Sequence, residues 1–316
     1  MLFDESVLDE TEKIIYALRA LYLRYGYSLY RMSKFEEYDL YSRNKDFLVS
    51  DAVITFTDTD GKLMALKPDV TLSIIKNDRE EGDTLRKLCY NENVYRIAKG
   101  SGSFKEIMQT GLECIGTIDE ACLSEVLKLA LLSLGTISRN TVLEVSDLDI
   151  LSYFIDAVDE REEVRRALMV LCGNRNEHGI REELKKNDIP ESKAEPLFRL
   201  LKLFGTPDQV FPELFRLTEN TEIRDEVLRL KTSLESLKDT EDYPHILVDF
   251  SVTGDMNYYN GIIFKGFIAG IPESVLSGGQ YDRLMRKMNR RSQAVGFAVY
   301  LDLLERLDGL NERMEK

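Results

Sequence analysis

Residues 94–116 read VYRIAKGSGSFKEIMQTGLECIG. Two runs of strand-like alternation flank Lys99-Gly100-Ser101-Gly102, which predicts a strand–loop–strand unit over residues 87–116. The two-residue period of a strand places Gln109, Gly111 and Glu113 on one face. A carboxylate and an amide then flank a position with no side chain, leaving room for a small ligand. Glu113 can meet a cation there, and Gln109 offers a donor and an acceptor. A solvated sheet face would carry the same pattern. The glycines of residues 100–102 can bring backbone N–H groups close to an anion, and they equally suit a plain hairpin loop.

Upstream, residues 5–24 carry apolar side chains at helical spacing, and Tyr27–Met32 reads as a strand. Ala52–Lys67 predicts a hairpin turning at Asp58-Thr59-Asp60-Gly61. A short helix over Val70–Ile75 follows Pro68, with Asp69 and Thr71 as a polar pair at its start. Downstream come a helix over 119–136 and a strand over 141–146. From 148 to 240 the chain is charged and helical in period, with no strand signal, so an all-helical insertion is expected. Strands return at 245–250, 257–268, 273–279 and 294–300, and a helix is expected from 301. Asn257-Tyr258-Tyr259-Asn260-Gly261 opens the second of these strands. Its two rings suit core packing or a ligand wall. Ser277–Asp282 marks a tight strand-to-helix turn, whose glycines can let another backbone or a ligand come close or can serve the turn alone. Hairpins and short loops, not regular helical crossovers, link the strands. The expected class is α+β, an antiparallel sheet flanked by helices, with 1–147 and 241–316 forming one domain and 148–240 the helical insertion.

The 316 residues include 42 Lys and Arg against 56 Asp and Glu, a net charge of −14. That balance excludes nucleic-acid binding through bulk charge. Hydrophobic residues make up 43% of the chain, enough for a substantial core, so disordered and disulfide-scaffold classes are excluded. Cys89, Cys114, Cys122 and Cys172 form no CxxC pair, and the two histidines, His178 and His245, do not complete a zinc pattern. Neither metal nor cofactor is expected. The acidic N-terminus lacks the apolar run of a signal peptide, and no apolar stretch is long enough to span a membrane, so a cytoplasmic protein with reduced thiols is expected.

Taken in order, these segments resemble the catalytic domain of histidyl-tRNA synthetase, a class II aminoacyl-tRNA synthetase fold, from about residue 5 to 308. YGYSLYRMSKFEEYDLY (25–41) resembles the dimer-forming first motif, with Ser33 where the family has proline. ALKPDVTLSI (65–74) is similar to the family's Arg-Pro-Glu-Gly-Thr segment. Residues 94–116 resemble the second motif, with Arg96 at the arginine that holds the ATP α-phosphate. MNYYNGIIFKGF (256–267) is similar to the histidine signature, and SGGQYDRL with AVGFAVYLDLL to the segment running into the third motif.

The departures fall on the nucleotide apparatus. Gly254 stands where the histidine signature has arginine, and Asp302-Leu303 where the third motif ends in Glu-Arg. RIAK lacks the acid after the second-motif arginine, and the anticodon-binding domain is absent from the sequence. Preorganised cations supply most of the help in phosphoryl chemistry, and each lost donor costs on the order of 10²–10³ in rate. By contrast, the positions that the resemblance assigns to histidine binding keep suitable side chains: Asp69, Thr71, Gln109, Glu113, Tyr258 and Tyr259. Arg96 remains as a vestigial phosphate contact.

This pattern resembles the regulatory subunits of ATP phosphoribosyltransferase, synthetase paralogues without the anticodon domain. The resemblance implies no chemistry of its own, and activation of a short catalytic subunit in the first step of histidine biosynthesis. It further implies histidine as feedback effector, a homodimer through the first-motif region, and no tRNA or membrane partner. A histidine–AMP ligase and a stand-alone histidine sensor are the alternatives.

Overall fold

A computed structural model describes residues 5–43, 53–77, 84–97, 102–254 and 258–304. Asp9 and Glu12 form a reciprocal capping box, with Glu12 N donating to Asp9 Oδ1 at 2.7 Å and Asp9 N to Glu12 Oε2 at 3.1 Å. That box starts α1 at Glu10 (Glu10–Arg24), later than the pattern from residue 5 suggests. A single 3-10 turn, Glu5–Val7, precedes it. The strand expected over Tyr27–Met32 shrinks to β1 (Ser28–Leu29). A small sheet follows: β2 (Phe35–Glu37), then α2 (Tyr38–Ser42), then β3 (Thr55–Thr57) and β4 (Leu63–Leu66), in the order β2-β4-β3. The hairpin between β3 and β4 turns through Gly61 at φ +82°, a left-handed value that glycine adopts without strain.

After α3 (Val70–Asn77) come the long strands β5 (Arg86–Ile97) and β6 (Phe104–Gly116), paired antiparallel. Residues 98–101, most of the glycine loop weighed as an anion cradle, lie outside the described residues. Helix α4 (Glu120–Ile137) is capped by Asp119 and followed by β7 (Thr141–Asp147).

The helical stretch holds α5 (Leu148–Val158), α6 (Glu162–Gly173), α7 (Glu177–Lys186), α8 (Glu195–Leu201), α9 (Pro207–Leu217) and α10 (Arg224–Glu235). It also holds an unexpected strand, β8 (Phe204–Gly205), since two residues carry no readable period. The last elements are β9 (Ile246–Asp249), β10 (Asn260–Ile268), β11 (Leu276–Gln280), α11 (Asp282–Lys287) and β12 (Gln293–Tyr300). Where a helix was expected from 301, the described residues form a 3-10 turn, Leu301–Leu303.

The main sheet runs β1-β5-β6-β12-β11-β10-β7-β9-β8. Its pairs are antiparallel except β1–β5 and β7–β9, which are parallel. Helices α1 and α4–α10 share one apolar core with one sheet face, drawing in Leu112, Val145 and Phe297. The opposite face packs Tyr90 and Ile115 with α3, α11 and the small sheet in a second cluster. All four cysteines are buried free thiols. Among the described residues no helix is long and apolar enough to cross a membrane.

Candidate ligand-binding site

Antiparallel register builds the floor of a cavity on that second face. Glu113 on β6 pairs with Gly296 on β12, Gly111 with Ala298, and Gln109 with Tyr300. Ala298 pairs with Ser277 on β11, and Ser277 with Lys265 on β10. Directly paired residues face the same side, so Glu113, Gln109, Ser277, Ala298 and Lys265 all point to one space. Asp69 and Thr71, at the start of α3, close it from above. Thr253, Gly254, Tyr258 and Tyr259 form a wall before β10. The cavity has a volume of about 490 Å³ and opens to solvent.

All the residues named from the sequence line this one cavity: Asp69, Thr71, Arg96, Gln109, Glu113, Tyr258 and Tyr259. The room was misplaced, however. A Cβ on Gly111 would lie 2.6 Å from the Tyr90 hydroxyl and 2.2 Å from the Phe297 carbonyl oxygen. Tyr90, directly across the ladder on β5, occupies the space that the missing side chain leaves. The open floor lies one strand further on, at Ala298 on β12.

Glu113 is the best-determined group. Thr71 Oγ1 donates to its Oε1 at 2.7 Å, and the Tyr281 hydroxyl donates to Oε2. Burial pushes its carboxyl up from 4.5 to about 8, against the lowering pull of those two bonds. Burial also raises Asp69, partly offset by the bond that Leu72 N donates to Oδ1 at 2.9 Å and by the Arg96 charge. The tyrosines 90, 258, 259 and 281 are held neutral by burial. The rings of Tyr258 and Tyr259 stand 4.6 Å apart, and those of Tyr258 and Tyr281 5.9 Å apart. The pair therefore packs in the second core cluster and walls the cavity together.

Gly296 permits this arrangement, since a Cβ there would fall 1.8 Å from Glu113 Oε2 and 2.4 Å from the Leu112 carbonyl oxygen. Gly296→Ala is expected to displace the carboxylate and to cost about 1–3 kcal/mol through overpacking. Urea unfolding and ligand titration of the variant check both effects.

Sequence reasoning missed Tyr90, Thr253, Lys265, Ser277, Tyr281 and Tyr300 as lining residues. A lysine inside the apolar strand GIIFKGFI was a readable signal. Tyr281 was passed over as part of a turn. Ser277 and Tyr300 hydrogen-bond across the floor at 2.7 Å. The wall is tied to the helices: Arg175 Nε donates to Ser251 Oγ at 2.9 Å and its guanidinium pairs with Asp249, while a Cβ on Gly173 would meet Thr253 Oγ1 at 2.3 Å.

The departures also have a place. A Cβ on Gly254 would lie 2.5 Å from Ile263 Cδ1 and 2.8 Å from Tyr259 Cδ2, so the wall as packed has no room for an arginine. Leu303 packs against the main core from the turn after β12. Arg96 Nε donates to the Pro68 carbonyl at 3.0 Å.

Residues 4–304 match the family described as histidyl-tRNA synthetase. The chain belongs to this family. Its class II aminoacyl-tRNA synthetase fold is shared with solved family members. A structure titled ATP phosphoribosyltransferase regulatory subunit/histidyl-tRNA synthetase, from Bacillus halodurans C, superposes with a TM-score of 0.84 at 24% identity, covering 97% of this chain and 82% of that one. A chain of the ATP phosphoribosyl transferase (HisG:HisZ) complex from Thermotoga maritima gives 0.71 at 17%, covering 92% and 97%. Among curated relatives, the ATP phosphoribosyltransferase regulatory subunit of Bacillus cereus (strain G9842) is 28% identical over 320 residues, 99% of this chain and 75% of the relative.

Proposed function

We propose that this chain is the regulatory subunit of ATP phosphoribosyltransferase. It activates the short catalytic subunit and takes part in histidine feedback inhibition in the first step of histidine biosynthesis. One observation carries the reading: a cavity lined by buried acids and neutral tyrosines has Gly254 in its wall where a synthetase has arginine, and Leu303, at the second such position, is turned into the main core. The names of the Bacillus relatives and of the Thermotoga complex support the partner.

Histidine would place its ammonium against Glu113 and Asp69 and its imidazole near a tyrosine hydroxyl. It regulates only by binding two states of the hetero-oligomer with different affinity, and a 100-fold difference supplies about 2.7 kcal/mol of coupling. Two copies would pair through the first-motif region. There the half-exposed rings of Phe35 and Phe56 meet edge to face at 5.7 Å and leave an apolar surface to cover.

The test is reconstitution. With the short catalytic subunit, the chain is expected to raise phosphoribosyl transfer and to make it histidine-sensitive. With ATP, histidine and pyrophosphate alone, isotope exchange is expected to stay at background. Exchange clearly above background would establish a histidine–AMP ligase instead. Histidine binding with no effect on the catalytic subunit would establish a stand-alone sensor.

A further inference from the structure

We infer that Arg175 is a positioning residue that couples the helical stretch to the cavity, so that ligand binding at the wall of Thr253 and Gly254 is transmitted to the end of α6. This rests on the amino-acid reading of the cavity, and deepens it by giving the helical stretch a part in regulation.

Arg175 occupies a backbone position that disfavours it. Helix α6 closes with Asn176 N donating to the Leu171 carbonyl and Arg175 N to the Cys172 carbonyl, both at 2.9 Å. This is a Schellman motif, whose left-handed position usually falls to glycine. Arg175 holds it at φ +50°. Among the described residues, the other non-glycine positions with positive φ are Asp188, Asn220 and Asn289. Their short polar side chains suit that region, and an arginine side chain does not. The strain is therefore offset by what the side chain reaches.

It clips the segment that leads into the cavity wall. Its Nε donates to Ser251 Oγ at 2.9 Å, and its guanidinium pairs with the buried carboxylate of Asp249. Asp249 Oδ1 shapes the turn by accepting from Ser251 N at 2.8 Å and from Ser251 Oγ at 2.7 Å. The guanidinium also lies over the Phe204 ring, 5.1 Å from its centroid, and Phe204 pairs with Asp249 across β8 and β9. One side chain thus joins β8, the end of β9 and residue 251 to α6. Next along the chain, Val252 packs with Ile263 and Tyr259. Thr253 and Gly254 then line the cavity, with Thr253 Oγ1 against Gly173 of the same helix end. A ligand that orders the wall acts on α6 through charge-assisted, directional bonds.

Histidine binding to the full chain is measured by calorimetry, and amide hydrogen exchange is followed with and without histidine. In the parent, histidine is expected to slow exchange at least threefold at Ser251 and Val252, whose N–H groups bond to Asp249. It should do the same at Asn174, Arg175 and Asn176, at the end of α6. Arg175→Gly suits the left-handed backbone, so it removes the side chain and leaves the helix end its bonds. Saturating histidine should still protect 251–252 in this variant and no longer protect 174–176. Arg175→Lys, which can still pair with Asp249, should keep part of the distant protection. Protection in the parent that never reaches 174–176 overturns the inference. So does a glycine variant that keeps both effects, or one that loses both, which would mark a merely structural role. If the parent binds no histidine, the amino-acid reading of the cavity falls, and this inference with it.

Discussion

Replacing Glu113 with glutamine is expected to abolish the response to histidine while making the chain more stable at pH 8. Both effects come from one buried carboxyl whose folded-state pKa is raised from 4.5 to about 8. Between those values the folded state keeps a proton that the unfolded chain has released. Wild-type stability therefore falls as pH rises from about 4.5 to 8, then levels off. The loss is on the order of 5 kcal/mol at 1.36 kcal/mol per pKa unit. Glutamine has the shape of the protonated acid and keeps partners for Thr71 and Tyr281, so its advantage should grow across the same window. Histidine binding runs the other way. A ligand ammonium needs the carboxylate, so binding must expel the proton, and affinity should rise about tenfold per pH unit between 6 and 8. Urea melts at pH 5 and pH 8, with titrations in buffers of different ionisation enthalpy, read both trends. A glutamine variant that still binds histidine at parental strength would remove Glu113 from the site.

The second large effect is expected at Lys67. Its side chain is fully buried, and its ammonium donates to Glu92 Oε2 at 2.9 Å. Burial lowers its pKa, and the bond to Glu92 opposes that shift. Lys67→Met strands a mostly buried carboxylate and should cost about 3–5 kcal/mol, the range for breaking one side of a buried pair. Adding Glu92→Leu should recover most of the loss, because the pair repays little beyond its own desolvation. Urea unfolding of the single and double variants closes the cycle. A single variant within about 0.5 kcal/mol of the parent would mean that water already reaches the pair. Lys67 precedes Pro68 and Asp69, so its loss should also loosen the corner that presents Asp69 to the cavity.

The sequence predicted most elements because the period was strong where the elements are long, as in β5, β6 and α4. It overran at β1, where only two of the expected residues pair, and missed β8, another two-residue strand that pairs only because a neighbouring strand offers an edge. The site divides in the same way. Alternation along β6 places Gln109 and Glu113 on one face, but it says nothing of which residue of β12 or β10 lies opposite. Lys265 and Tyr300 enter the cavity through register, a long-range property. The error at Gly111 has the same source, because the ring that fills its space comes from the partner strand.

The cavity is ringed by Tyr90, Tyr258, Tyr259, Tyr281 and Tyr300, five of the chain's fifteen tyrosines, and the sequence contains no tryptophan. A third of the tyrosine chromophores thus surround one small volume, with no indole emission to mask them. Occupancy of the cavity should be visible in the protein's own absorbance and fluorescence, without an attached dye.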